Sequence, residues 1–167
     1  MSGITFQTVK LSASLTRPAN TTAYTAGDAV TDNTPAALAF ANAARDTGKT
    51  GSIDALVIIG DANVTTKPDL ELWLFAAAPT AVADNAAFIP TDAEALTCVG
   101  VILIPVADWK VGLSGAGAAG NITQTIRNIG LLYKVSDTTL YGQLVIRNAY
   151  VPVSGEKFTV NLMATLD

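Results

Sequence analysis

The chain has 167 residues, a formal net charge of −4, no histidine, one cysteine and 14% charged residues, while half of it is hydrophobic. An average soluble domain carries about 25% charged residues. The composition excludes Ser-His-Asp and Cys-His catalysis, imidazole metal sites and an internal disulfide.

The length suits one domain spanning residues 1–167, with a core that needs no staples. Ten basic residues are scattered singly, which argues against a nucleic-acid partner, because phosphates call for clustered Lys and Arg. The N-terminus lacks the basic start and apolar centre of a signal peptide. The longest apolar stretch, residues 98–107, is about half of what a spanning helix needs and is interrupted by Pro105, so no membrane partner is expected.

Residues 4–15 read as a first, irregular strand. Residues 17–30 are polar and turn-rich, too polar for core, and form a candidate contact arm whose interface residues would include Arg17, Pro18 and Tyr24. Residues 36–44 have helical composition, but Leu38 and Phe40 alternate, and strand is the favoured reading. Residues 45–52 form a hairpin turn. Leu56 to Ile59 is a continuous aliphatic run, as expected of a central strand covered on both faces.

In residues 69–75, Leu70, Leu72 and Leu74 face one way, with Glu71, Trp73 and Phe75 opposite. Trp73 is expected in the core. After a turn-rich stretch, Thr91-Asp92-Ala93-Glu94 carries a capping box and predicts a single turn or short helix. Residues 99–104 repeat the continuous aliphatic pattern of a central strand, and Cys98 at their head reads as a small buried hydrophobe. Trp109 follows where strand runs into loop, and is a candidate interface anchor.

Residues 122–135 alternate in two registers. Ile122 and Ile126 share one parity; Ile129, Leu131, Tyr133 and Val135 share the other. The switch predicts a bulge or bend near Asn128, Ile129 or Gly130. Leu140, Leu144 and Ile146 alternate with Tyr141, Gln143, Val145 and Arg147. Phe158, Val160, Leu162, Ala164 and Leu166 give the clearest strand. The sum is an all-β, antiparallel two-sheet sandwich of eight or nine strands with one short helix, and a jelly roll is the favoured topology.

Several motifs dissolve on inspection. Gly115-Ala116-Gly117-Ala118-Ala119-Gly120 matches a dinucleotide fingerprint, but the residues after it read as strand, and the pyrophosphate needs a helix N-terminus there. Asp46-Thr47-Gly48 lacks the apolar strand that buries an aspartic-protease dyad. Asp69 with Glu71, and Asp92 with Glu94, are i,i+2 neighbours in polar contexts rather than a glycosidase pair. Asp28, Asp32, Asp61 and Asp84 lie in loops without the acid density of a calcium loop. No cofactor is expected.

Residues 15–30, Leu15-Thr16-Arg17-Pro18-Ala19-Asn20-Thr21-Thr22-Ala23-Tyr24-Thr25-Ala26-Gly27-Asp28-Ala29-Val30, are similar to a segment of tailed-bacteriophage structural proteins. Residues 70–75, followed by Asp84-Asn85-Ala86-Ala87-Phe88 and Thr91-Asp92-Ala93-Glu94, have the same character, as does the strand order through residues 98–105. The chain resembles small phage virion proteins, most of all the capsid decoration (cement) class. That resemblance implies a jelly-roll-like sandwich, a homo-oligomer, most plausibly a trimer, and the major capsid protein as partner on the outside of the shell. The alternative it leaves open is a tail, baseplate or fibre-associated sandwich that acts in attachment.

Overall fold

The computed structural model describes residues 7–112 and 120–167. Ten strands and one short helix follow in chain order: β1 (Gln7–Thr16), β2 (Ala29–Val30), β3 (Leu38–Phe40), β4 (Thr50–Gly60), β5 (Leu70–Phe75), α1 (Asp92–Ala95), β6 (Cys98–Ile104), β7 (Lys110–Val111), β8 (Ile122–Lys134), β9 (Leu140–Ile146) and β10 (Lys157–Leu166). One sheet has the order β1-β10-β4-β8-β7, the other β2-β9-β5-β6, with β3 also on β9. Every pairing is antiparallel. The two short strands β2 and β7 account for the excess over the expected eight or nine.

The topology is a long hairpin folded back on itself between β5 and β6. The first strand pairs the last (β1 with β10), β2 and β3 pair β9, β4 pairs β8, and β5 pairs β6. Successive pairs alternate between the sheets, which is the jelly-roll winding. Alternation drives it. In β10, Phe158, Val160, Leu162, Ala164 and Leu166 are buried, with half-buried Thr159, Asn161, Met163 and Thr165 between them. The inner faces of both sheets meet in one continuous core that includes Leu56, Leu72, Leu144 and Leu162. Burying each such side chain contributes roughly 1.5–3 kcal/mol.

The register switch in β8 is a bulge. Ile53 pairs Leu131 and Ala55 pairs Arg127, so Asp54 alone stands opposite residues 128–130. Asn128 and Gly130 take left-handed backbone, at φ 57° and 62°, and the parity change returns Tyr133 to the core. The capping box also forms: Thr91 accepts from the Glu94 backbone, and the Glu94 carboxylate accepts from the Thr91 backbone.

Two expectations need correction, and a third lies outside the described residues. The 45–52 turn is no hairpin, because β3 and β4 lie in different sheets; it is a crossover. Residues 99–104 are not central. β6 ends its sheet, so its aliphatic run covers the core with one face and meets solvent with the other. The glycine-rich motif from Gly115 lies almost wholly outside the described residues; the strand expected after it begins at Ile122.

Candidate interaction surfaces

The arm, residues 17–30, leads from the end of β1 into β2. Arg17 and Tyr24 are buried, in contrast to the exposure expected of interface anchors. The Arg17 guanidinium donates from Nε to Tyr24 Oη, from Nη1 to the Val153 carbonyl at 3.4 Å, and from Nη2 to Asp84 Oδ2 at 3.0 Å. Tyr24 Oη donates to Asp84 Oδ1 at 2.5 Å, and the Thr31 amide donates to the same oxygen at 3.1 Å. Tyr24 stacks on Tyr150, with ring centroids 6.2 Å apart. The Tyr150 hydroxyl lies 2.7 and 2.6 Å from the two oxygens of buried Glu156. Backbone bonds finish the anchorage, from Arg17 N to the Glu156 carbonyl and from Tyr24 N to the Tyr150 carbonyl.

Burial dominates the electrostatics of this cluster. It pushes both tyrosine hydroxyls far above their ordinary range, so each stays a neutral donor. It raises the Glu156 carboxyl to about 7, against the lowering pull of the Tyr150 hydrogen bond and the Arg17 charge. A buried ion pair contributes little net stability, and its best-attested use is to specify one arrangement. Here it fixes the arm, and above it Ala19, Asn20, Thr21, Thr22 and Ala23 stand exposed, with half-buried Pro18 at their start. Val151 and Val153 are exposed on the adjoining loop. The result is a rigid, small-residue, partly apolar face.

The second surface is the flank where β6 and β8 face each other without pairing. Gly100 is the pinch point: a Cβ there would lie 2.7 Å from the Leu131 side chain. On one side of the pinch is a hollow of about 710 Å³, lined by Leu96, Cys98, Val99 and Leu132 among others. On the other is one of about 530 Å³, lined by Leu103, Gln124, Ile126 and Lys110 among others. Leu96, Leu132 and Leu103 are 89%, 77% and 63% exposed. Gln124 is buried, yet its side-chain oxygen has no hydrogen-bond partner. Cys98 is half-buried at this flank rather than enclosed.

Neither tryptophan sits as expected. Trp109 is buried, and its Nε1 donates to the Pro68 carbonyl at 2.7 Å, so it closes the sandwich rather than anchoring an interface. Trp73 lies half-buried on the outer face of β5. It donates to Glu71 at 2.8 Å and packs edge-on against Phe88, 5.7 Å away. Pro18 lies half-buried at the start of the exposed stretch 19–23.

The carboxylates are already occupied in structural roles. Glu71 ion-pairs with Arg147. Burial pushes its carboxyl up, but the bonds from Arg147 and Trp73 outweigh this and leave it below its usual range. Glu94 is held down to about 2 by hydrogen bonds from Thr80 and Thr91. Asp28 accepts from Thr25, Asp32 from the Thr16 amide and Asp61 from the Lys157 amide. Asp46 caps its own turn through the Thr47 amide. Among the described residues, no three acidic, Cys or His side chains converge on a metal position.

No family model and no curated protein matches the chain. Solved structures resemble it only weakly. A chain from the capsid of Ralstonia phage GP4 superposes with a TM-score of 0.43 at 11% identity, over 98% of this chain and 86% of that one. Desmodium yellow mottle tymovirus gives 0.33 at 13%, over 99% and 90%. The acid-stable capsid of Helicobacter pylori bacteriophage KHP30 gives 0.31 at 11%, over 97% and 94%. Likeness at this level carries no argument about this chain's fold or chemistry.

Proposed function

We propose that this chain is a non-enzymatic virion protein of a bacteriophage, a decoration protein that binds the outer shell and bridges neighbouring major capsid subunits. The observation that carries the reading is the arm. A buried Arg17–Asp84 ion pair and two buried tyrosines hold an exposed loop that contributes nothing to the core. Rigid elements beneath an exposed loop are what a recognition surface needs, because little freedom is then lost on binding. The resemblance of residues 15–30 to phage structural proteins supports the same choice. A decoration protein needs no turnover chemistry. It needs area, and repeated contacts around a symmetry axis multiply weak terms through effective concentration.

The test is titration of the purified chain onto shells that lack it. Binding is expected to saturate at a fixed number of copies per shell. Thr22→Glu and Val151→Glu, both at exposed positions, should weaken it while thermal unfolding stays unchanged. Saturable binding that both variants leave untouched would remove the arm from the contact. Absence of binding, with the chain found on purified tails instead, would move the protein to the attachment apparatus. Removing residues 1–30 is a poor test, because it deletes β1 and both arm anchors together.

A further inference from the structure

We propose that the β6–β8 flank is where two copies of this chain meet, edge to edge. The flank is separate from the arm face, so the proposal stands or falls apart from shell binding.

An unpaired edge strand is a template for another strand, and proteins ordinarily blunt it with charge, proline or covering segments. The two terminal strands differ here. β1 exposes Thr8, Lys10, Ser12, Ser14 and Thr16, a polar row with a lysine in it. β6, Cys-Val-Gly-Val-Ile-Leu-Ile, has no charge and no proline, and exposes Val101 and Leu103. Among the described residues its pairing partner is β5, on one side only. Among the same residues β8 from Gln124 onward has a strand, β4, on one side only, since β7 pairs just Ile122 and Thr123.

The single chain leaves this region incomplete in a second way. The Gln124 side-chain oxygen is buried and unpartnered beside the lower hollow. A buried polar atom without a partner costs free energy unless a donor arrives. Both hollows also have open apolar walls.

Along the β6 edge, which has no charge to offer a partner, a covering surface that is apolar, uncharged and strand-like buries no unpaired charge. The chain carries such a surface in β6. Antiparallel pairing of two β6 edges centred on Val101 sets Val99 of one copy opposite Leu103 of the other. The outer apolar strip then runs unbroken across the joint, with no like charges opposed. The contact is self-complementary, as a two-fold interface requires, and it differs from the three-fold assembly implied by sequence resemblance.

Sedimentation of the full chain tests the idea, with Cys98 alkylation as a local readout at the upper hollow. The wild type should sediment as a dimer with Cys98 protected. Leu103→Lys should weaken association by at least about tenfold, release a monomer that keeps its fold by circular dichroism, and speed alkylation of Cys98. Ser12→Lys, on the β1 edge, should leave the dimer intact. A monomeric wild type with freely reacting Cys98 overturns the proposal, as does a Leu103→Lys variant that associates like the wild type. Protection of Cys98 that appears only on shells would assign the flank to a capsid subunit instead, leaving the decoration reading in place. Open-ended, polydisperse association would mark a non-specific sticky edge and equally defeat it.

Discussion

The arm and the β6 flank invert each other. The arm is polar in sequence, yet its key side chains, Arg17 and Tyr24, are buried and satisfied. Strand β6 of the flank is uncharged and aliphatic, yet Leu103 on it and Leu96 and Leu132 beside it face solvent, and among the described residues the buried Gln124 oxygen lacks a partner. Polarity therefore does not sort inside from outside in these two regions. A charge is buried where a partner of opposite charge is fixed beside it, and an apolar side chain is exposed where the sheet runs out of strands. The arm depends on interactions within one chain. The flank, on the dimer we propose, takes its interactions from another.

Breaking the arm should cost the most stability. Arg17→Ala leaves Asp84 buried without its ion pair, and the expected loss is about 3–5 kcal/mol, read from denaturant midpoints at constant m-value. A loss below about 1 kcal/mol would mean that the arm is no anchor.

The next effect is a pH dependence seated in the same cluster. The Glu156 carboxyl is raised from 4.5 to about 7, so between those pH values the folded chain holds a proton that the unfolded chain has released. Stability contributed by that protonated, buried form is present below pH 4.5 and is lost as pH rises through 7. The loss is on the order of 3 kcal/mol. Glu156→Gln should flatten this slope in thermal scans across the window. Glu94 acts with the opposite sign: its depressed carboxyl stabilises above its ordinary range, and that contribution is lost as pH falls towards 2.

Smaller still is Thr91→Ala, which removes the cap of α1 and should cost about 1 kcal/mol. At the bottom of the scale, Leu103→Lys on the flank should change the stability of the monomer by no more than about 0.5 kcal/mol. If it destabilised as much as Arg17→Ala, the contrast between the two regions would collapse.

The sandwich was legible because period-two alternation reports directly on burial in β10 and from Leu70 to Leu74 of β5, and because the parity break in β8 betrays its bulge. In β9 the alternation misled, since Gln143 and Val145 are buried along with Leu144 and Ile146. The Thr91 capping box was equally readable, since both partners lie within four residues. Sheet position was not. The aliphatic runs of β4 and β6 look alike in sequence, and one is central while the other is an edge, because neighbours are assigned by long-range winding. The arm was found as a segment, but its chemistry was misread. Arg17 meets Asp84 and Val153 across 67 and 136 residues, and nothing local announces either contact. Trp109 failed for the same reason, its acceptor being the Pro68 carbonyl. Gln124 left no signal at all, since an unsatisfied oxygen is a property of the packed site.

The central claim is that the chain works as a bound surface on a phage shell, with the arm as contact. A reconstruction of the virion tests it most directly. The account predicts jelly-roll density on the outside of the capsid, with residues 19–23 turned towards the major capsid subunits. Density of this shape confined to the tail, or particles that lack the chain altogether, would contradict it.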